Sequence, residues 1–390
     1  MLITVGEETE TLRGVATKAS PLDFIKVERV VDTEETGNKF RYQTAEVLIY
    51  FGWPALVAWL VWIFSGNLLL TFLTGGLLFF WPYLKGIIGG FIANSRGIKD
   101  PRHGIRSSSF WFDGFLFIGS PILREIRKYS ALSRSLDVIY NAFERFDGIR
   151  PRNFPDGKYG FWPISAWAKF WLGMPVAQDV RTRLDIIAEE YRKMIGNLAS
   201  VQPGRTIRIL EVAGGQLQAV VMGISRAEKD GAIFNYQVVS IEPEEDFSVP
   251  RALELIDKFN LNQECFTLIP SGISTKKEDR YIKNILAENQ LDMAAFDIVV
   301  CIGLADYYYT QQRVIDLLRH FDGGLKHKVI TANISDNFVE RRLLHRLIQW
   351  PKMRYRSVVE WKGILLGAFG KRPIKIIQTP HGIFNIAVIE

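Results

Sequence analysis

The sequence predicts a doubly wound, mostly parallel α/β sheet of seven strands. The sheet ends in an antiparallel hairpin at the C-terminus and is preceded by a helical hairpin of membrane-spanning character. Three observations carry this. From Arg205 onward, short apolar runs alternate with stretches of helical periodicity, the pattern of strand–helix–strand units. The last two runs, 374–379 and 382–389, are linked through Pro380-His381-Gly382, which is turn chemistry and far too short for the crossover that parallel strands require. Between Glu46 and Lys85 there are 38 residues without a charge.

Composition narrows the possibilities. The chain has 390 residues, 13% of them aromatic and 23% charged, which excludes a disordered polymer. Two cysteines, Cys265 and Cys301, exclude a disulfide framework and a four-cysteine zinc site. The five histidines show no ligand spacing, so no metal is expected. A net charge of +6 is mild for a nucleic-acid binder, and none is expected; it suits a protein beside an anionic membrane surface.

In chain order, residues 1–44 form a polar arm of mixed charge, open to a short strand pair or to no regular structure. Residues 45–94 hold the apolar run. A spanning helix needs about 20 apolar residues. Ser65-Gly66-Asn67 divides this run into helices over 45–64 and 68–92. Trp53, Trp59, Trp62, Trp81 and Tyr83 suit headgroup depth, and basic residues flank both ends but not the central turn. That distribution predicts both ends in the cytoplasm and attachment to the cytoplasmic membrane. Pro54, Pro82 and five glycines favour short or bent helices, so a two-pass crossing and a re-entrant hairpin both stay open. Residues 95–177 form a basic, aromatic, membrane-proximal linker; residues 96–205 carry 18 basic and 11 acidic side chains, a net of +7. From residue 178 the folded domain begins. Val180, Leu184, Ile187, Tyr191, Met194 and Leu198 recur at helical spacing over 178–199. Strands follow at 207–212, 236–242, 265–270, 296–302 and 327–334, before the final pair.

The first strand ends in Glu211-Val212-Ala213-Gly214-Gly215-Gln216 and runs into a helix. Glycines at such a junction let a ligand approach a helix N-terminus. The turn lacks both the G-x-G-x-x-G pattern of dinucleotide sites and the Lys-Ser/Thr of a P-loop. Two acids accompany it. Glu242, 31 residues after Glu211 and at the end of the second strand, can accept both hydroxyls of a ribose; Glu211 can face a ligand's ammonium or order the turn. A ligand with a ribose, a cationic tail and no phosphate, such as S-adenosylmethionine, suits the pair.

From about residue 175 to the end, the sequence resembles a bacterial family of class I S-adenosylmethionine-dependent methyltransferases. The resemblance lies in the glycine turn Glu211–Gln218, in Cys301-Ile-Gly-Leu-Ala-Asp-Tyr307 after the fourth strand, in Trp350-Pro-Lys-Met-Arg-Tyr-Arg-Ser357 and in Gly382-Ile-Phe-Asn-Ile386. It implies a Rossmann-like sheet with a terminal antiparallel hairpin, S-adenosylmethionine as cofactor and methyl transfer as the activity. Departures are Ala213 and Leu217, where many such enzymes have glycine. Leu217 is expected to narrow the cofactor site. A further departure is Ile269-Pro-Ser-Gly272, where relatives carry an acid for the adenine amine.

Because ligands of open α/β sheets lie beyond the carboxyl ends of the strands, Ala213, Gly214, Gly215, Gln216, Glu242, Ser271, Gly272, Ile302 and Gly303 are expected around the cofactor, with Glu211. Asp306 and Tyr307 should face the transferred methyl as catalytic residues. Arg354 and Arg356 would orient an acceptor carboxylate, and His345 is a further proton acceptor. Asp306 also suits a helix cap, and Arg354 a solvated surface. The reading is a membrane-anchored methyltransferase acting on an apolar or lipid-like acceptor, with the lipid bilayer as partner. The alternatives are a catalytically inactive, membrane-tethered scaffold of the same fold and a nicotinamide-dependent reductase.

Overall fold

The computed structural model describes residues 25–30, 53–78, 133–140, 146–147, 150–151, 173–242, 245–270, 281–307, 310–322, 327–336 and 353–390. In chain order, the first elements are β1 (Ile25–Arg29), α1 (Trp53–Ser65), a second apolar helix described over 68–78, and α2 (Ser133–Tyr140). A two-residue pair, β2 (Phe146–Asp147) and β3 (Arg150–Pro151), follows. The main domain then runs α3 (Pro175–Val201), β4 (Thr206–Val212), α4 (Gln218–Lys229), β5 (Asn235–Glu242), α5 (Glu245–Lys258), β6 (Phe266–Pro270), α6 (Tyr281–Glu288) and β7 (Ile298–Ile302). It closes with α7 (Gln311–Arg319), β8 (Lys328–Ile334), α8 (Val358–Phe369), β9 (Ile374–Gln378) and β10 (Phe384–Ile389).

The large sheet has the order β1-β9-β10-β8-β7-β4-β5-β6. Only β10 is antiparallel to its neighbours. Counting from the glycine-turn strand, the seven predicted strands follow the order 3-2-1-4-5-7-6, and each lies within two residues of its sequence-predicted bounds. Parallel strands buried on both faces read as continuous apolar runs. That is why IVVCI is visible without alternation, while TIRILEV alternates over its first residues, Thr206 and Arg208 being exposed, and is buried from Ile209 on. Two apolar layers result. One face packs Ile187, Tyr191, Val220, Ile224 and Ile256 from α3, α4 and α5 on the sheet; the other packs Leu317, Phe321, Trp361 and Leu365 from α7, the residues just after it, and α8.

Two parts differ from expectation. The arm contributes an eighth strand: β1 adds in parallel to the edge strand β9, Ile25 opposite Ile374, and covers an edge that would otherwise present unpaired backbone groups. Glu28 of β1 and Glu190 of α3 both reach Lys375, at 3.0 and 3.6 Å. In the apolar hairpin, the predicted break stands: α1 stops at Ser65, Gly66 has φ +58°, and the next helix starts at residue 68. The length does not match. At 1.5 Å per residue, the 13 residues of α1 rise about 20 Å, against roughly 30 Å of hydrocarbon. No helix among the described residues is long and apolar enough to cross a membrane. The residues predicted to extend it, 45–52 and 79–92, lie outside the described ones. The hairpin's apolar side chains are bare, Phe64 at 84% exposure, with Trp59, Trp62, Leu69 and Phe72 also exposed.

Candidate functional site

The glycine turn sits at the carboxyl end of β4, between neighbours β5 and β7. Its first residue still belongs to the ladder, with the Ala213 N–H donating to the Ile241 carbonyl at 2.9 Å. The backbone then turns sharply. Ala213, Gly215 and Leu217 have φ of 54°, 67° and 62°. The left-handed region costs a non-glycine residue roughly 1–2 kcal/mol, so two of the three positions hold strain. This is the physical reason that glycine suits both places where the sequence departs from the family pattern it resembles.

Leu217 nevertheless does not narrow the site, contrary to the sequence expectation. Its side chain is 1% exposed and packs in the apolar layer of α3 and α4. Burying a leucine is worth about 1.5–3 kcal/mol, enough to offset the backbone strain.

Glu211 lies under the turn, 2% exposed. Its Oε1 accepts a hydrogen bond from the Tyr191 hydroxyl at 2.5 Å. Tyr191 reaches it because α3 and α4 approach closely at Gly223, where an added Cβ would lie 2.4 Å from the Tyr191 Cβ. The other oxygen of Glu211 occupies the space a side chain at Gly214 would need: a Cβ there would be 2.3 Å from Oε2. Burial pushes the Glu211 carboxyl up to about 8, and the nearby Glu242 charge adds to this against the lowering effect of the Tyr191 hydrogen bond. Tyr191 is in turn pushed well up, by burial first.

Glu242, at the end of β5, accepts the Gly215 N–H on Oε2 at 2.7 Å. With Ser240, Ser248, Leu268 and Ile269 it lines a narrow cavity between β5, β6 and α5. Two polar atoms around the turn are buried without a hydrogen-bond partner among the described residues, Ser240 Oγ and Gln216 Oε1. Ser240 has the parity of Glu242 on β5 and lines that cavity; the sequence reading missed it, and its only signal was that two-residue spacing. Ser271 and Gly272 lie outside the described residues, as does His345.

Beyond β7, Ile302 and Gly303 lead into a short 3-10 turn, Leu304–Tyr307, with Gly303 at φ +85°. Asp306 is 4% exposed, and its Oδ1 accepts the Ile334 N–H at 2.8 Å, tying the turn to the end of β8. Burial raises its carboxyl to about 6, against the lowering pull of Ile334, Arg356 and Arg183. Tyr307 closes the turn. Arg356, expected to orient an acceptor carboxylate, is fully buried, and its Nη1 donates to the carbonyls of Ala305, at 3.0 Å, and Arg354, at 3.4 Å. It clamps the 304–307 turn. Arg354 is exposed, its N–H donating to the Asp306 carbonyl at 2.8 Å. Ser357, the last residue of the expected signature stretch, is the N-cap of α8 in a reciprocal capping box with Glu360.

At the same end of the sheet, the β9–β10 link is fixed by Asp179 of α3. Its carboxylate accepts from the Thr379 hydroxyl at 2.6 Å and from the backbone N–H groups of Ile383, at 3.0 Å, and His381, at 3.2 Å, and meets His381 Nδ1 at 2.8 Å. Nothing in the sequence pattern singled out Asp179, because its partners lie some two hundred residues away.

No family model matches the sequence, and no curated protein matches it. Solved structures do. The CMeT domain of the citrinin polyketide synthase is similar at 12% identity and TM-score 0.38, over 71% of this chain and 68% of that one. The CurJ carbon methyltransferase is similar at 11% identity and TM-score 0.40, over 74% and 70%. The geranyl diphosphate C-methyltransferase from Streptomyces coelicolor A3(2), whose structure holds S-adenosyl-L-homocysteine, is similar at 13% identity and TM-score 0.37, over 69% and 96%. The chain's own sheet order and turn geometry carry the functional reading.

Proposed function

We propose that this chain is an S-adenosylmethionine-dependent methyltransferase that acts on an apolar or lipid-like acceptor at the cytoplasmic face of a membrane. The observation that carries the reading is the glycine turn at the centre of a 3-2-1-4-5-7-6 sheet, with the Glu242 carboxylate hydrogen-bonded to Gly215 at the end of the adjacent strand.

The residues fit the cofactor. Gly214 lets the turn close directly over the buried Glu211 carboxylate, which keeps that acid at the turn. The unpartnered Ser240 Oγ and Gln216 Oε1 offer polar atoms beside the two carboxylates. Glu242 would accept the ribose hydroxyls, Glu211 would face the ammonium of the methionine tail, and Leu268 and Ile269 would pack beside the adenine. Bound, S-adenosylmethionine supplies an electrophilic methyl group on a sulfonium, and in-line alignment provides much of the acceleration. Asp306 is the candidate base for a hydroxyl or amine acceptor, with Tyr307 beside it in sequence. Arg354 is the candidate partner for an acceptor carboxylate. The exposed apolar hairpin of α1 and residues 68–78, free of charge and bearing Trp59 and Trp62, supports attachment to a bilayer by insertion into one leaflet.

Calorimetric titration of the detergent-purified full chain with S-adenosylmethionine, with NADH as control, tests the cofactor. Micromolar binding of the first alone is expected, and absence of that binding by folded protein overturns the reading. Sedimentation with anionic lipid vesicles tests the hairpin. The Phe64→Asp/Leu69→Asp double variant should remain in the supernatant while the parent pellets; equal pelleting would overturn membrane attachment.

A further inference from the structure

The carboxyl end of the sheet holds a buried cation that has no carboxylate partner among the described residues. Arg183 lies one helical turn after Asp179 on α3 and is 6% exposed. Its guanidinium carries five N–H donors. One nitrogen, Nη2, donates to the Tyr140 hydroxyl at 3.0 Å. The planar group lies over the Phe384 ring, 4.4 Å from its centroid. Nε is buried and has no hydrogen-bond partner, and no carboxylate among the described residues lies within salt-bridge distance of the group.

Burying a guanidinium without an anion is costly, because desolvation of the charge is only partly offset by one phenol and one aromatic face. Two further arginines have carboxylate partners, while Arg356, also buried, spends its Nη1 on two backbone carbonyls. Arg251 pairs with Asp137 at 2.9 Å, and Arg372 pairs with Asp322 at 2.7 Å. Arg183 is stacked and steered by neutral groups, which fix its plane and leave its Nε without a partner among the described residues.

Its location narrows what that something is. Phe384 opens β10 opposite Ile334, the end of β8, and the Ile334 N–H holds Asp306. The Arg183 charge is felt at Asp306. Arg183 therefore belongs to the acceptor side of the sheet, across β7 and β8, rather than to the ribose side at β5 and β6. Tyr140 comes from α2, which is also pinned to α5 through Asp137 and Arg251. α2 thus bridges α3 and α5, and Arg183 sits beneath its last turn.

We propose that Arg183 is the recognition group for an anionic head, a carboxylate or a phosphate, on the methyl acceptor, bound beneath α2 through the guanidinium fork. The assignment rests on the methyltransferase reading for the word acceptor; anion binding at Arg183 stands or falls by itself. A carboxylate or phosphate matches the fork of a guanidinium bidentately.

The test uses the detergent-purified full chain and three single-chain probes of equal length: decanoate, decyl phosphate and decanol. Each is titrated by calorimetry with and without saturating S-adenosylhomocysteine. Saturable binding of at least one anionic probe, with decanol weaker by about tenfold or more, is expected from the worth of one charge-assisted hydrogen bond. Which anion wins distinguishes a carboxylate from a phosphate head. Arg183→Gln should lose that preference by about tenfold or more, and Arg183→Lys should retain part of it. Both variants should bind S-adenosylmethionine like the parent, which also reports that they fold. Equal binding of decanol and the anions, no binding of any probe, or an unchanged preference in Arg183→Gln would each overturn the proposal. If the anions bind through Arg183 while S-adenosylmethionine does not bind, the anion site survives and the methyltransferase reading fails.

Discussion

Two carboxylate centres sit at the same end of this sheet and are built in opposite ways. Asp179 is saturated: its two oxygens meet four groups of the β9–β10 link, all at normal backbone geometry apart from Gly382 at φ +70°. The Glu211–Glu242 pair sits under a turn in which Ala213 and Leu217 hold left-handed backbone, two neighbouring polar atoms lack partners among the described residues, and one carboxyl is pushed toward neutrality. A structural centre completes its hydrogen bonds within the fold. A binding centre keeps strain and unmet hydrogen-bonding capacity that a ligand can relieve.

Breaking the saturated centre should have the largest effect. Asp179→Asn removes a buried charge around which three donors and a histidine are arranged. It should destabilise the fold by about 3–5 kcal/mol, read as a fall in urea midpoint, while S-adenosylmethionine affinity measured on still-folded protein stays within about threefold of the parent. A large affinity loss would mean the two centres are not separate.

The sign should reverse at Glu211. Its folded pKa is raised, so its contribution to stability is full below about 4.5, the unfolded value, and is lost as pH rises toward about 8. Glu211→Gln keeps an acceptor for Tyr191 and cannot ionise. Thermal unfolding across this range should show the variant gaining on the parent as pH rises, by on the order of 2 kcal/mol at the alkaline end. The same ionisation should sharpen ligand binding: between about pH 6 and 8, parent affinity for S-adenosylmethionine should climb with pH, and Glu211→Gln should flatten the climb.

Glu242→Ala should weaken S-adenosylmethionine binding by about tenfold to a hundredfold, the worth of hydrogen bonds to a charged acceptor, with little change in unfolding midpoint. Titration of both proteins decides it; undiminished affinity would remove the ribose role. Gly214→Ala should cost about 1–3 kcal/mol, since its Cβ would meet the Glu211 carboxylate and the core must shift. The smallest change is a gain: Ala213→Gly should stabilise the fold by at most about 1 kcal/mol, because glycine adopts the existing φ of 54° without strain. No comparable gain is available around Asp179.

Much of the geometry of the glycine turn, the proposed cofactor side, was legible in the sequence because its logic is local. Ala213-Gly214-Gly215-Gln216 lie in one turn, and Glu242 ends the next strand, so strand spacing alone brings them together. The 304–307 turn was harder. Asp306 and Arg356 carry charges that read as chemistry, yet Ile334 holds the first and the Ala305 carbonyl accepts from the second, both partners far off in sequence. Helix α8 fills a gap between strands where a helix was expected, but its bounds were not placed, because VVEWKGILLGAF is apolar nearly all round and shows no amphipathic stripe. Leu217 was misjudged because its direction depends on a φ that no sequence pattern reports.

The sequence by itself determined the strand–helix alternation, the antiparallel end of the sheet, the turn that divides the apolar hairpin and the acids that accompany the glycine turn. Each follows from periodicity, short-range backbone preference or strand length, which act between near neighbours. Only the tertiary structure decided that the arm supplies an eighth strand, that Asp179 anchors a hairpin two hundred residues away, that Arg356 is a clamp and that Arg183 lies buried without a carboxylate partner among the described residues. Those outcomes depend on which side chains meet across the sheet and how much water is excluded when they do, and both are set only once the layers have packed.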